Sequence, residues 1–187
     1  MFATRQAATG AEEPVEPVDL ETAKTQVRAI QDVDDEDELI EQIIAAAREY
    51  CENITGRALK PCKILAYPEN TTELQRLPWI PVGAVEKLER RLKTGEYQEM
   101  DAMEYAVDPE GGTLRIFAAG SEVAGYRLTY QAGYAYKDVP PLIRQAMLML
   151  IGHWYQNRES VQIGAVASIE LELSTRNMLK QYKAWWY

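Results

Sequence analysis

The sequence predicts an α+β fold, a helical bundle core of about four helices interrupted by a small antiparallel β insertion. Three observations predict it. Apolar residues recur at helical spacing toward both ends of the chain, short alternating segments punctuated by Pro and Gly fill the middle, and the pattern switches back to helix at Val139-Pro140-Pro141. The 187 residues are expected to make a flexible N-terminal arm over 1–17 and one domain over 18–187, and a 47% apolar content is enough for a real core.

Met1–Pro17 is rich in Ala, Glu and Pro and has almost no periodic apolar residues, the composition of an arm that is disordered or ordered by a partner. A first helix is predicted over 19–31, with Asp19 as N-cap and Ala23, Val27 and Ile30 on one side. The acidic run Asp32–Glu38 then places Asp34 or Asp35 to cap a second helix over 34–55, its other carboxylates near the positive end of the helix dipole. A divalent-metal site is the competing reading. Consecutive carboxylates splay around a helical turn, however, whereas calcium loops space their ligands and turn at a Gly. Ile40, Ile43, Ile44, Ala47, Cys51 and Ile54 form a sustained helical stripe that ends at Thr55-Gly56, where Gly provides a left-handed cap.

Strands are predicted within 62–131, at Lys63–Tyr67, Glu73–Leu77, Ala84–Leu92, Tyr105–Asp108, Thr113–Ile116 and Tyr126–Gln131, in one sheet of five or six strands. Lys93–Glu96 and Pro109–Gly112 read as hairpin turns, and Glu86–Arg91 reads alternatively as a helical turn. Proline is tolerated in a first helical turn, so a third helix is predicted over 140–158. It is apolar around so much of its circumference that it must be buried on more than one side, in the core and against another subunit. Val161–Leu173 reads as an extended loop or strand, and Ser174 as the cap of a last helix over 174–185 that carries Met178, Leu179, Tyr182 and Trp185. No internal repeat is evident.

Twenty Lys and Arg against 29 Asp and Glu give a formal charge of −9, a mean field that repels nucleic-acid phosphates. The opening residues lack the apolar run of a secretory signal, and no stretch approaches the ~18 apolar residues of a membrane span, so a cytoplasmic product without membrane partners is expected. Cys51 and Cys62 match neither zinc-ligand nor redox CxxC spacing and read as reduced thiols.

No catalytic residues, metal ligands or cofactor are predicted. His153 is the single histidine and sits inside the apolar helix, so His-based triads are excluded, and GxSxG, Walker A and GxGxxG patterns are missing. Carboxylate-dependent catalysis stays open only as a distant alternative. The unusual feature is aromatic. Trp154 and Tyr155 lie near the end of the third helix with Arg158 one turn on, and Trp185, Trp186 and Tyr187 follow the last helix. Aromatics and Arg are enriched at interface hot spots. Trp154 is expected in the core, and the three consecutive aromatics are expected to dock on a partner.

Several segments carry a resemblance: DVDDEDELIEQIIAAAREYCENITGRAL (32–59), LPWIPVGAVEKL (77–88), YAVDPEGGTLRI (105–116), YQAGY (130–134) and VPPLIRQAMLMLIGHWYQNRE (139–159). In this order they resemble the head-tail connector, or adaptor, proteins of long-tailed double-stranded DNA bacteriophages, over roughly Asp19 to Tyr182. The arm, and a Val161–Leu173 segment without the usual short Pro/Gly link, depart from that pattern. The resemblance implies a virion protein, assembled in the bacterial cytoplasm, that forms a ring with copies of itself, commonly a dodecamer, at the head-tail junction. It implies a portal protein on one side, a downstream neck or tail-completion protein on the other, and DNA passing through the lumen without specific binding. On this reading the subunit and portal interface is made by Trp154, Tyr155, Arg158, Met178, Tyr182, Trp185, Trp186 and Tyr187. Another neck, tail-completion or baseplate subunit is the alternative role.

Overall fold

The structure is a computed structural model that describes residues 2–7, 15–30, 34–157 and 173–184. The chain divides into two compact units. One takes Val15–Leu59 and Ala135–Trp185 and holds the helices; the other takes Met1–Pro14 and Lys60–Tyr134 and holds the sheets.

In the helical unit α1 spans Leu20–Val27. Asp19 caps it as expected, with Oδ1 accepting the Thr22 amide at 2.7 Å, and Arg28 ends it in the left-handed region. The helix stops short of 31 for that reason, and Ile30 is exposed instead of lying on the apolar side. The second helix, α2, spans Asp37–Thr55, and Glu36, not Asp34 or Asp35, precedes it, without a side-chain capping bond. Asp34 instead begins a turn whose carbonyl accepts the Asp37 amide. The carboxylates of this turn neutralise a buried cation: Lys24 of α1, 4% exposed, pairs with Asp37 and stands 3.9 Å from Asp34. Ile40, Ile44, Ala47 and Cys51 form the buried stripe, and Gly56 (φ 69°) closes the helix as predicted.

The third helix, α3, spans Pro141–Gln156 and packs against α1 and α2. Its buried stripe is Ile143, Ala146, Met147, Leu150 and Ile151, one side of the helix. A fourth helix, α4, covers 173–179 and tightens into a 3-10 turn at Lys180–Tyr182. It therefore ends before the expected 185, and Ser174 lies within its first described turn. The segment expected at Val161–Leu173 lies outside the described residues except for Leu173.

The sheet unit contains two antiparallel sheets where one was expected. Strands β1 (Phe2–Ala7), β2 (Cys62–Tyr67), β8 (Val123–Ala132), β4 (Val82–Leu92) and β5 (Tyr97–Glu99) follow in that spatial order; β3 (Gln75–Arg76), β7 (Thr113–Ile116) and β6 (Tyr105–Asp108) make the second sheet. The β6 to β7 hairpin turns at Pro109–Gly112 as predicted, and Asp108 Oδ1 accepts the Glu110 and Gly111 amides there. Glu86–Arg91 is strand, not a helical turn, because β4 pairs with β8 along its length despite three register shifts. Phe2–Ala7, read as part of a flexible arm, is an edge strand paired with all six residues of β2. Backbone pairing to an open sheet edge needs no apolar periodicity, which is why composition did not reveal it.

Candidate functional site

Among the described residues no group of three or more His, Cys, Asp or Glu is placed to hold a metal ion. His153 is half-buried on α3, its Nδ1 3.2 Å from Asn157 Nδ2.

Trp154 and Tyr155, at the end of α3, reach α2 and the residue that precedes it. Trp154 meets Tyr50 edge-on, with ring centroids 6.0 Å apart and planes at 89°, the preferred geometry for an aromatic pair. Tyr155 donates its hydroxyl to the Glu36 carboxylate. Both are half-buried, so Trp154 packs against α2 without joining the buried core. The opposite side of α3 is different. Leu142 is 40% exposed, and Leu148 and Met149 are half-buried. The helix thus buries one apolar stripe inside the unit and leaves Leu142, Leu148 and Met149 partly open outside it.

The C-terminal segment is held by the Thr55-Gly56-Arg57 corner. Helix C-termini leave backbone carbonyls without intrahelical partners. At the end of α2 the Thr55 carbonyl accepts the Ala184 amide at 2.7 Å, and Arg57 Nε donates to the Tyr182 carbonyl at 2.6 Å. The left-handed Gly56 turns the chain so that Arg57 can reach back to that segment. Leu179 and Ala184 are buried, whereas Met178 and Tyr182 stay half-exposed. Of the predicted interface residues, Trp154, Tyr155, Met178 and Tyr182 are thus placed on the helical unit, and Arg158, Trp185, Trp186 and Tyr187 lie outside the described residues. The clamp itself was missed by the sequence reading, although its signal, a helix ending in Thr-Gly-Arg, was on view.

Beneath α2 runs a buried charge network. Arg48, 7% exposed, bonds Glu16 and Glu52 at 2.8 Å each, and the other Glu52 oxygen accepts the Leu59 amide at 2.7 Å. A carboxylate with 1% exposure near the negative end of a helix is tolerated because each of its oxygens accepts a hydrogen bond and one of them meets a cation. Glu52 in turn raises the cost of a second negative charge next door. Burial, and then its charge, push the Cys51 thiol up to about 12. Both cysteines are buried.

In the sheet unit the remaining motif pieces meet one another. Tyr130, fully buried on β8, donates to the Pro78 carbonyl, and the Gly133 amide bonds the Pro81 carbonyl at 3.0 Å. A Cβ on Gly133 (φ 106°) would stand 2.3 Å from the Lys60 carbonyl oxygen, so YQAGY requires glycine there. Trp79 adopts a left-handed backbone (φ 60°), unusual for a large side chain, with the Arg5 guanidinium 5.1 Å from its ring centroid. On the face of the large sheet Arg127 clasps Glu89 through two bonds of 2.7 and 2.9 Å and stacks 3.9 Å over Tyr97. Beside it an open pocket of about 400 Å³, lined by Tyr67, Asn70, Arg91, Tyr97 and Tyr126 among others, faces solvent.

Comparison with known proteins places this architecture. No curated protein matches the chain. Solved structures do: a chain of the neck of an empty gene transfer agent particle computed with C6 symmetry superposes with a TM-score of 0.72 at 18% identity, over 98% of this chain and 95% of that one. A chain from the virion of a native gene transfer agent particle gives 0.71 at 18% identity over the same shares. A chain of the native particle's neck computed with C12 symmetry gives 0.65 at 16% identity, covering 96% and 94%. These likenesses establish the α+β fold. The family model described as head completion protein matches residues 21–183, nearly everything described above apart from β1. The chain belongs to the head completion protein family, a group of phage head-tail connector proteins.

Proposed function

We propose that this chain is a non-enzymatic structural subunit that closes, with copies of itself, into a ring at the head-tail junction of a phage or phage-like particle. The ring extends the DNA channel below the portal and offers a platform to the next neck or tail-completion protein. The observation that carries this reading is the apolar surface that α3 leaves outside its buried stripe: Leu142 and Met149, seven positions apart on one line of the helix, and Leu148 on another stay partly open. In a ring each subunit presents two different surfaces, one to each neighbour, and a half-open apolar helix is suited to one of them. Membership of the head completion family, and a fold shared with chains of necks computed with six- and twelve-fold symmetry, support the same reading. The formal charge of −9 suits a lumen through which DNA slides without adhering. The segment after Ala184, with Trp185, Trp186 and Tyr187, docks on the portal.

Light-scattering mass and negative-stain imaging test this on the purified chain, alone and mixed with the portal protein of the same genome. A ring, alone or on the portal, is the expected result. A persistent monomer that ignores the portal sinks the connector role in favour of another neck, tail or baseplate position. Truncation after Ala184 keeps the Thr55 and Arg57 bonds and removes the three aromatics, so it should abolish portal binding with a nearly unchanged circular dichroism spectrum. Intact binding by the truncated chain refutes portal docking through the tail.

A further inference from the structure

We propose that the turn at Ala102–Glu104 and the residues that follow β7 form an apolar knob that docks on the open side of α3 in a neighbouring copy of this chain. The inference rests on the reading that copies close into a ring, and it names the second of the two surfaces that such a contact needs.

Exposed apolar residues come together at one end of the smaller sheet. Ala102 and Met103 begin the 3-10 turn that leads into β6, and Phe117, Ala118 and Ala119 follow β7 directly. All five are exposed, Met103 at 91% and Phe117 at 54%. The Phe117 amide donates to the Glu104 carbonyl at 2.9 Å, so the two stretches run side by side. Leu114 and Ile116 are fully buried, and the alternation of β7 therefore turns Phe117 to the outer face. The β3 to β7 register brings the exposed Leu74 to that same face, beside Arg115. Single exposed apolar side chains are ordinary. A consecutive exposed run of three, with a methionine alongside it, marks an interaction surface.

The knob is ordered before anything docks on it. One Glu104 carboxylate oxygen accepts the Asp101 amide at 2.9 Å and the other accepts Arg90 at 3.2 Å, while the Glu104 amide donates to the Asp101 carbonyl at 2.9 Å. Together with the bond to Phe117, these hold Met103 outward, where a loose loop would let it fold back. A side chain already in place loses less entropy on docking, and the flexible thioether adapts to the relief of an apolar helix.

The same chain carries a surface that fits. On α3 Leu142, Gln145 and Met149 recur at i, i+3 and i+7, stay partly or fully open, and include no charged residue. The five knob residues are uncharged as well, with Asp101, Glu104 and Arg115 flanking them, so pressing one surface on the other buries no unpaired charge. The knob belongs to the sheet unit and α3 to the helical unit. Two unlike surfaces on one chain are what a head-to-tail contact requires, whereas a patch docking on its own counterpart closes a two-fold pair and stops there. A second copy is therefore the occupant, because the chain supplies both halves of the contact.

The test uses full-length Met103→Glu, Phe117→Glu and Leu142→Glu chains, all substituted at exposed positions, with light-scattering mass read alone and on the portal protein of the same genome. Each should keep the circular dichroism spectrum and thermal midpoint of the parent and weaken self-association at least tenfold. Gln145→Glu, on the same line of α3, takes the place of Leu142→Glu if that chain does not fold. The deciding arm is an equimolar mixture of Met103→Glu and Leu142→Glu. Each partner retains one sound surface, so the mixture should form pairs of twice the subunit mass that grow no further, while neither variant pairs by itself. Knob variants that assemble like the parent, or a mixture no heavier than its components, overturn the inference and leave the ring intact. A parent chain that never assembles, alone or on the portal, defeats the ring reading itself and with it the occupant named here.

Discussion

Tyr155 on α3 donates its hydroxyl to the carboxylate of Glu36, the residue that precedes α2. An aromatic expected at an intersubunit surface thus spends its polar end inside its own unit, tying two helices across 119 positions of sequence. Tyr155→Phe keeps the ring and removes the bond. A hydrogen bond to a charged acceptor contributes about 1.5–3 kcal/mol. Partial exposure puts the expected loss near the lower end, read as a lower urea midpoint at unchanged slope. Ring assembly should be unaffected; a variant that folds stably but no longer assembles would show that the hydroxyl faces a neighbour during assembly.

Arg48 is the most consequential charge in the helical unit. Arg48→Ala takes from Glu52, 1% exposed, the buried cation that faces its charge, while the Leu59 amide stays on its other oxygen. Breaking one side of a buried pair costs about 3–5 kcal/mol, several times the cost of losing an exposed one. Arg48→Met with Glu52→Gln removes both charges and should recover much of that loss. Equal destabilisation by single and double substitutions would mean that packing of the Arg48 stem, and not the charge, is what matters there.

Gly133→Ala tests the YQAGY turn. The residue sits at φ 106°, and a methyl group would meet the Lys60 carbonyl at 2.3 Å, so backbone strain and steric overlap add. The expected loss is about 2–4 kcal/mol, beyond the ~1 kcal/mol typical of point substitutions. Gly125→Ala is the control, since no atom lies within 4 Å of its Cβ position. Equal thermal midpoints for the two variants would contradict the close approach of Gly133 to Lys60.

What was legible in the sequence follows the range of the interactions involved. The stripe from Ile40 to Cys51 and the Gly56 stop are written in residues a few positions apart, and α2 was read to within a turn. Tyr105–Asp108 and Thr113–Ile116 were read to the residue because alternation and a Pro-Glu-Gly-Gly turn are equally local. The start of α2 is not at Asp34 or Asp35: Asp34 lies 3.9 Å from Lys24, a cation ten positions away that no local pattern announces. Pairing of Phe2–Ala7 with Cys62–Tyr67 and the bond from Arg57 to Tyr182 join distant residues through backbone atoms, which impose no side-chain pattern. The aromatic interface candidates were legible as residue types, but which edge of Trp154 or Tyr155 remains accessible depends on Tyr50 and Glu36.

Cys51 should be silent to thiol reagents until the helical unit opens. Only the thiolate reacts, and with the thiol pushed up to about 12 its ionised fraction at pH 8 is on the order of one in ten thousand. Side-chain burial blocks approach as well. In a Cys62→Ala background, labelling by a disulfide reagent should proceed no faster than urea-accelerated opening. Rapid labelling in native buffer, first order in reagent, would show that the end of α2 frays and that the Thr55 clamp is weak.

Acid should destabilise the fold through two carboxylates that hold their charge more tightly than usual. Glu89 lies below the ordinary carboxylate range because Arg127 donates two bonds to it; burial opposes this, and Lys87 assists. At Asp19 burial pushes upward, but the Thr22 amide and the Tyr136 hydroxyl outweigh it, and the net shift is again downward. A carboxyl group with a folded value below its unfolded one binds fewer protons in the native state. Its contribution is fully present above the unfolded value, about 4, and is lost as pH falls through the folded value. Stability by urea titration should therefore be level from pH 7 to pH 5 as far as these groups are concerned, then decline toward pH 3. Glu89→Gln should be less stable than the parent at pH 7 and decline less steeply in acid, the two curves converging at low pH because protonation removes from the parent the charge that the substitution has already removed. Parallel curves over the whole range would mean that the bond between Arg127 and Glu89 contributes nothing to the acid response and that other groups drive it.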